Sequence, residues 1–249
     1  MNYKKAIDLA VVNFSKAKIK TANLDAILLL SFVLKKDKEY ILAYPEIKLE
    51  KKQEKQFFAL AKLRAKRFPL AYILEYKEFY DRRFHVNKDV LIPRPETEKI
   101  IELALNKIKM ENKNKVWNIL ELGTGSGCIA ITLALELEKI GFDYKIIASD
   151  ISNLALRIAK ENLQNLKTQN IKFIKSDLFK NIKGKFDLIL ANLPYVKKSE
   201  IKDELTYEPI LALEDKKQIP QILKEYKKYL KPKGILIYET INGKVLKII

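Results

Sequence analysis

The sequence predicts an α/β fold, a mostly parallel sheet covered by helices on both faces, preceded by a small all-helical domain and a linking β-hairpin. Three observations predict it. From about residue 116 onward, apolar runs rich in β-branched residues alternate with segments of helical periodicity. Residues 1–70 carry helical periodicity alone, with almost no glycine or proline. Polar residues stand at the ends of the apolar runs, where open parallel sheets bind their ligands.

The segments "NYKKAIDLAVVNFSKAK", "ANLDAILLLSFVLKK" and "KKQEKQFFALAKLRAKR" place apolar residues three and four apart with lysines between them, so three helices are expected. Pro45 separates the second from the third, and Phe68-Pro69 closes the last. Residues 71–92, "AYILEYKEFYDRRFHVNKDVLI", change to aromatic and β-branched texture around a polar Asp-Arg-Arg turn and read as the linking hairpin. His85, in its second arm, is expected to be structural. The sheet domain is placed at 93–249. "PRPETE" opens a helix, with Pro95 in its first turn and Glu96 and Glu98 at its positive end. After the lysine-rich "ENKNK", strands are expected at 116–122, 144–150, 171–177, 186–192 and 234–239, and helices near 126–140, 152–166 and 216–231.

The totals exclude several kinds of chemistry. One cysteine and one histidine leave no disulfide framework, no zinc site of several Cys and His ligands and no catalytic Cys/His pair with a spare, so no metal is expected. The longest apolar cluster, "AILLLSFVL", is far shorter than a bilayer span, and the N-terminus lacks a signal-peptide cleavage site, so a cytoplasmic protein is expected. The net charge of +17 comes from lysines scattered through every segment. Arginine, the residue suited to bidentate phosphate contact, occurs only at 64, 67, 82, 83, 94 and 157. That pattern fits a general lysine bias better than a nucleic-acid groove, with a weak attraction to RNA through the overall field.

The first strand runs into "ELGTGSGCIAI". Glycines at 123, 125 and 127 let the backbone turn sharply and approach a ligand, and the following helix directs free N–H groups at it. A dinucleotide loop of the G-x-G-x-x-G type would need glycine at 128, which is Cys128. An acidic residue followed by G-x-G-x-G is instead the pattern of loops around S-adenosyl-L-methionine, where the carboxylate of Glu121 can serve the α-ammonium group. Asp150, ending the second strand, can accept from the ribose hydroxyls, and Asp177, after the third, can meet the adenine amine. Either aspartate alone could be a helix cap; their occurrence after successive strands favours cofactor binding.

The fourth strand opens into Asn192-Leu193-Pro194-Tyr195, beside the expected methyl donor. An amide or aromatic-amine nitrogen is a poor nucleophile because its lone pair is delocalised. The Asn192 side-chain oxygen and the carbonyl of Leu193 supply two acceptors for its two N–H bonds, and Tyr195 can stack on the planar acceptor group. Such positioning contributes roughly 7–11 kcal/mol in favourable cases. No strong general base is needed if the proton leaves after methyl transfer.

These residues resemble the Asn-Pro-Pro-Tyr class of S-adenosylmethionine-dependent methyltransferases. "VLIPRPETE" (90–98), together with "ELGTGSGCIAI", "SDISNLAL", "ANLPYV" and "EPILAL" (208–213), makes the chain similar to the PrmC/HemK family over almost its whole length. The resemblance implies a Rossmann-like class I methyltransferase sheet and methylation of the side-chain amide nitrogen of the glutamine in the Gly-Gly-Gln motif of class I peptide chain release factors. It places the cofactor site on Glu121, Gly123, Thr124, Gly125, Gly127, Asp150, Asp177 and Asn192, and the catalytic site on Asn192, Leu193, Pro194 and Tyr195. Pro93, Arg94, Pro95, Glu96 and Thr97 line the substrate pocket with Asn192 and Tyr195, Arg94 and Glu96 forming a charge pair, and the helical domain recognises the release factor. The enzyme is expected to be a monomer.

Three departures stand out. Leu193 replaces a proline, though as the residue before Pro194 it remains extended. Glu75 replaces a glycine, and "EDKKQI" replaces a glycine-containing stretch; both are expected to affect surface fit. The sheet, normally of seven strands, stops at "INGKVLKII" soon after its fifth, so the last edge strands are expected to be missing and the exposed edge to lower stability or to need a partner. A methyltransferase for a ribosomal-protein glutamine, an adenine-amine methyltransferase and a non-catalytic S-adenosylmethionine-binding adaptor at the ribosome are the alternatives.

Overall fold

The computed structural model describes residues 1–111, 115–240 and 244–248. The chain divides into two units, Met1–Glu75 and Tyr76–Ile249.

The first unit is helical: α1 (Tyr3–Lys16), α2 (Ala22–Leu34), α3 (Lys38–Ala43), α4 (Lys51–Ala65) and α5 (Leu70–Leu74). The Asn2 side chain caps α1 by accepting from the Lys5 N–H at 3.0 Å. Tyr3, Ala6, Ala10 and Phe14 make its buried stripe, and Leu29, Leu30 and Phe57 complete the interior. Asp25 and Arg64, both buried, pair at 2.7 Å across α2 and α4. The short α3 and α5 were not expected, each being too brief to show a periodicity. Glu75 caps α5 at φ 62°, a left-handed conformation that glycine adopts without strain. The glycine preference there is therefore a backbone matter as well as a surface one.

The hairpin belongs to the second unit and is shorter than its aromatic texture implied: β1 (Tyr76–Phe79) pairs with β2 (Arg82–His85). Its turn is Tyr80-Asp81, both at positive φ as tight two-residue hairpins require, while Arg82 and Arg83 stand in β2. Asn162 of α8 (Asn153–Leu166) ties the hairpin to the glycine loop. Its amide accepts from the His85 N–H at 2.7 Å and donates to the carbonyls of His85 and Ser126 at 3.0 and 2.9 Å.

The main sheet contains β3 (Trp117–Leu122), β4 (Tyr144–Asp150), β5 (Ile171–Lys175), β6 (Phe186–Ala191), β7 (Leu230–Glu239) and β8 (Val245–Ile248), in the order β5-β4-β3-β6-β7-β8. All neighbouring pairs are parallel except β7 with β8. Central strands are apolar on both sides and send alternate residues to two cores. Ile119, Leu188, Leu190, Ile235 and Ile237 join α6 (Glu98–Lys109) and α7 (Cys128–Ile140) on one face. Leu120, Leu122, Ile189, Ala191 and Leu236 meet Phe179 and the Ile222 and Tyr226 side chains, at and just beyond the helix Gln218–Glu225, on the other.

The shortening of the edge is smaller than expected: the described residues form six strands of the usual seven, because residues 245–248 return antiparallel to β7, from Glu239↔Val245 to Leu236↔Ile248. Thr240 closes the return, its N–H donating to the Lys244 carbonyl at 2.8 Å. The outer edge of β7 offered unpaired backbone groups, and the chain directly after it fills them. Part of "INGKVLKII" and the middle of "ENKNK" lie outside the described residues.

Candidate active site

The chain builds β3, β4 and β5 outward to one side and then returns to place β6 on the other side of β3. That reversal opens a crevice at the carboxyl ends of β3 and β6. Glu121 lies near the end of β3 and Asp150 ends β4. Asn192 follows β6 directly, and Glu239 ends β7.

Three glycines of the loop after β3 have positive φ, 73° at Gly123, 54° at Gly125 and 81° at Gly127, but their surroundings differ. A Cβ on Gly123 would come 2.7 Å from Leu193 Cδ2 and 3.6 Å from the Asn192 carbonyl oxygen, so the loop and the Asn192 segment lie against each other. A Cβ on Gly127 would come 2.9 Å from Ile131 Cδ1 and 3.2 Å from Ala159 Cβ. Gly125 meets nothing within 4 Å. Gly127→Ala is thus expected to cost on the order of 2 kcal/mol of stability through overpacking and backbone strain. Gly125→Ala should cost roughly 1 kcal/mol and lower S-adenosylmethionine affinity at least about tenfold. Denaturation and titration calorimetry of the two variants test this; unchanged binding by Gly125→Ala would show that Gly125 does not face the cofactor.

Asp150 supports the loop directly. Its Oδ2 accepts from the Gly125 N–H and its Oδ1 from the Ser152 N–H, both at 2.9 Å. Burial raises its pKa, and those N–H groups pull it back. Each oxygen retains a second lone pair for a ligand hydroxyl. Glu121 is enclosed, only 1% exposed, with Oε2 accepting from Thr124 Oγ1 at 2.6 Å and Oε1 meeting no donor. Burial pushes its pKa up to about 7, the Thr124 hydroxyl and the nearby Ala130 N–H opposing and the Asp150 charge adding to the effect. Asp177 follows β5 in a half-exposed turn, its Oδ2 accepting from Lys180 Nζ at 2.6 Å. Nothing among the described residues bonds it to the glycine loop. Cys128 begins α7 inside the core, where burial pushes its thiol up to about 12 and leaves it a packing group.

On the other side of the crevice a cavity of about 200 Å³ is lined by Arg94, Asn192, Pro194, Tyr195, Leu205 and Leu213, with four neighbours. Its mouth is held by long-range bonds. The Val196 N–H donates to the Leu213 carbonyl, and the Asp215 N–H to the Val196 carbonyl, each at 2.9 Å. A larger recess of about 500 Å³ lies by Val116, Tyr144 and Asn170, at the opposite ends of the strands, and contains none of the predicted residues.

The "PRPETE" residues divide. Pro93 and Thr97 are buried, Pro95 and Glu96 exposed, and Arg94 lines the cavity. The expected Arg94–Glu96 pair does not form. Arg94 Nη2 instead donates to Glu208 Oε1, whose Oε2 accepts from the Ile92 N–H at 3.0 Å. Glu208 is buried and needs donors for both its oxygens, whereas Glu96 projects to solvent and is satisfied by water, so the distant partner holds the guanidinium. Thr97 acts behind the cavity: its Oγ1 accepts from Asn192 Nδ2 at 2.9 Å and donates to Glu239 Oε2 at 2.8 Å. Tyr195 O–H donates to Glu239 Oε1 at 2.9 Å. Burial, then the Glu239 charge and its hydrogen bond, push the phenol up to about 12, so it remains protonated. Glu239 and Glu208 were not among the predicted site residues. The carboxylate closing the apolar run "GILIYE" was the available signal for Glu239, of the same kind that marked Asp150.

Two features fit S-adenosylmethionine: the open space over Gly125, and the buried Glu121 Oε1 lacking a donor, a negative group that a cationic ligand would complement. The fold and this strand-end constellation define an S-adenosylmethionine-dependent methyltransferase. Residues 113–248 match the family model described as a methyltransferase domain, and residues 5–74 the one described as the PrmC N-terminal domain. The release factor glutamine methyltransferase of Buchnera aphidicola subsp. Acyrthosiphon pisum (strain APS) is 39% identical over 246 residues, covering 96% of this chain and 85% of that protein. The same-named protein of Borreliella burgdorferi is 40% identical over 238 residues, with 92% and 80% covered. That of Clostridium acetobutylicum is 39% identical over 227 residues, with 86% and 77% covered. The chain belongs to the PrmC/HemK family of release factor glutamine methyltransferases.

Proposed function

We propose that this enzyme methylates the side-chain amide nitrogen of the glutamine in the Gly-Gly-Gln motif of class I release factors. The observation that carries the reading is the orientation of Asn192: its Nδ2 is engaged by Thr97, which leaves Oδ1 available as an acceptor. Bound S-adenosylmethionine supplies an electrophilic methyl group on a sulfonium sulfur. The glycine loop and Asp150 would hold it, with Glu121 contributing charge from beneath the loop and Asp177 bonding at its far end.

Asn192 Oδ1 and the Leu193 carbonyl accept the two N–H bonds of the glutamine amide and fix its plane. No described group donates to that carbonyl. Tyr195 covers one face of the amide as a neutral phenol and Pro194 keeps the segment extended. Arg94, held by Glu208, lines the cavity, with Pro93, Pro95 and Glu96 beside it in the chain. Positioning supplies the rate acceleration, because the residues at the cavity offer hydrogen-bond acceptors that fix the amide nitrogen. The proton leaves the nitrogen once the new N–C bond has formed.

The helical unit serves release-factor recognition. It presents Leu9, Val12, Leu42 and Leu63 at its surface among lysines, a mixed apolar and basic face suited to a protein partner. Among the described residues no helix is long and apolar enough to cross a membrane. The reading implies a cytoplasmic monomer, with weak attraction to ribosomal RNA through its net charge. Incubating the enzyme with S-adenosylmethionine and a purified class I release factor, followed by peptide mass spectrometry, should show one methyl group on that glutamine. An unmethylated release factor beside a methylated ribosomal protein in a parallel incubation with ribosomes would replace the substrate.

A further inference from the structure

We infer that Glu239 is a positioning residue, which through Thr97 determines the way the Asn192 amide faces. The inference rests on the role given to Asn192 above. An ionised carboxylate can only accept hydrogen bonds, and Glu239 uses one oxygen for Thr97 and the other for Tyr195. Thr97 has a single hydroxyl proton. Because that proton goes to Glu239, Oγ1 can meet Asn192 only as an acceptor, and the group it meets must be Nδ2. A reversed amide would set Oδ1 against an oxygen with no proton to offer.

The consequence for the acceptor glutamine is direct. With Nδ2 turned to Thr97, Oδ1 is free to receive an N–H from the substrate amide. With the amide reversed, two NH₂ groups would face each other. The same carboxylate fixes the Tyr195 ring through its hydroxyl, so one buried charge sets both the acceptor atom and the covering ring. Water cannot easily substitute, since Glu239 is 1% and Thr97 2% exposed. In such surroundings an unmatched polar group is costly, and the relay holds a single orientation. Glu239 itself lines neither the 200 Å³ cavity nor the glycine loop and so acts through the other two residues.

The test uses the full chain labelled with ¹⁵N-asparagine. The Asn192 side-chain resonances are assigned by their loss in Asn192→Ala. In the wild type, one Nδ2 proton should exchange with water at least about tenfold more slowly than an exposed amide proton. Thr97→Val, of the same shape without the hydroxyl, should abolish that protection and lower kcat for release-factor methylation about 100-fold. KM and S-adenosylmethionine affinity should stay within about threefold, because the binding groups themselves remain. Glu239→Ala should act in the same direction, and Thr97→Ser should recover most of the loss. Unprotected Asn192 protons in the wild type would overturn the inference whether or not the variants fold. Retained protection and kcat in a folded Thr97→Val would overturn it equally. A protected proton in a wild type that leaves the release factor unmethylated would count against the assigned reaction, while supporting the relay.

Discussion

Asn192→Ala is expected to lower kcat for methylation of the release factor by about a thousandfold, with S-adenosylmethionine affinity changed by less than about tenfold. The substitution removes one of two acceptors proposed to hold the glutamine nitrogen. The remaining one, the Leu193 carbonyl, leaves the amide free to rotate about a single hydrogen bond. It also releases Thr97 Oγ1 from Asn192, while Glu239 keeps its bonds from Thr97 and Tyr195, so the fold should tolerate the change. Single-turnover methylation and calorimetric cofactor titration separate the two effects. A variant that binds cofactor and methylates at the wild-type rate would remove Asn192 from the chemistry.

Leu193 bears on the same site. It is buried, and its Cδ2 fills the space that a side chain at Gly123 would need. The Asn192-Leu193 segment thus packs directly onto the glycine loop, and the isobutyl group supplies contact where the family's proline would supply stiffness. The change keeps the backbone carbonyl, which is the atom proposed to act.

The sequence revealed what local periodicity encodes. Largely apolar runs of strand length marked β3, β4 and β6 to within a residue at each end, and the glycines at 123, 125 and 127 announced a sharp turn that the positive φ values realise. Asp150 and Asn192 could be picked out because each interrupts an apolar run at its carboxyl end. The side-chain partnerships were less legible. Arg94 and Glu96 are neighbours in sequence and looked like a pair, yet Arg94 reaches Glu208, 114 positions away. Thr97 reaches Glu239 across 142 positions. Such pairings depend on strand order: only with β6 beside β7 do Asn192 and Glu239 come to adjacent strand ends. Strand β8 escaped notice for a related reason, its four residues gaining a partner only when β7 presents an open edge.

The second large effect concerns Glu121 and pH. Its pKa of about 7 in the folded chain lies above the ordinary glutamate value of 4.5, so the folded state binds the proton more tightly than the unfolded state. Its contribution to stability is therefore fully present below about pH 4.5 and is lost as pH rises through 7. A shift of that size corresponds to about 3 kcal/mol by pH 8. Glu121→Gln carries no charge to bury and retains an acceptor for Thr124. It should match the wild type near pH 4 and be more stable by up to about 3 kcal/mol at pH 8, when no cofactor is present. Chemical denaturation read from the fluorescence of Trp117, the sole tryptophan and buried in β3, reports this unit directly. With S-adenosylmethionine bound, the cationic group would compensate the Glu121 charge, and the advantage of the glutamine should shrink or reverse. Parallel stability curves for the two proteins from pH 4 to 8 would sink the assignment of a costly buried charge. An undiminished gain in the presence of saturating cofactor would instead separate Glu121 from cofactor binding and leave it as a support for Thr124 alone.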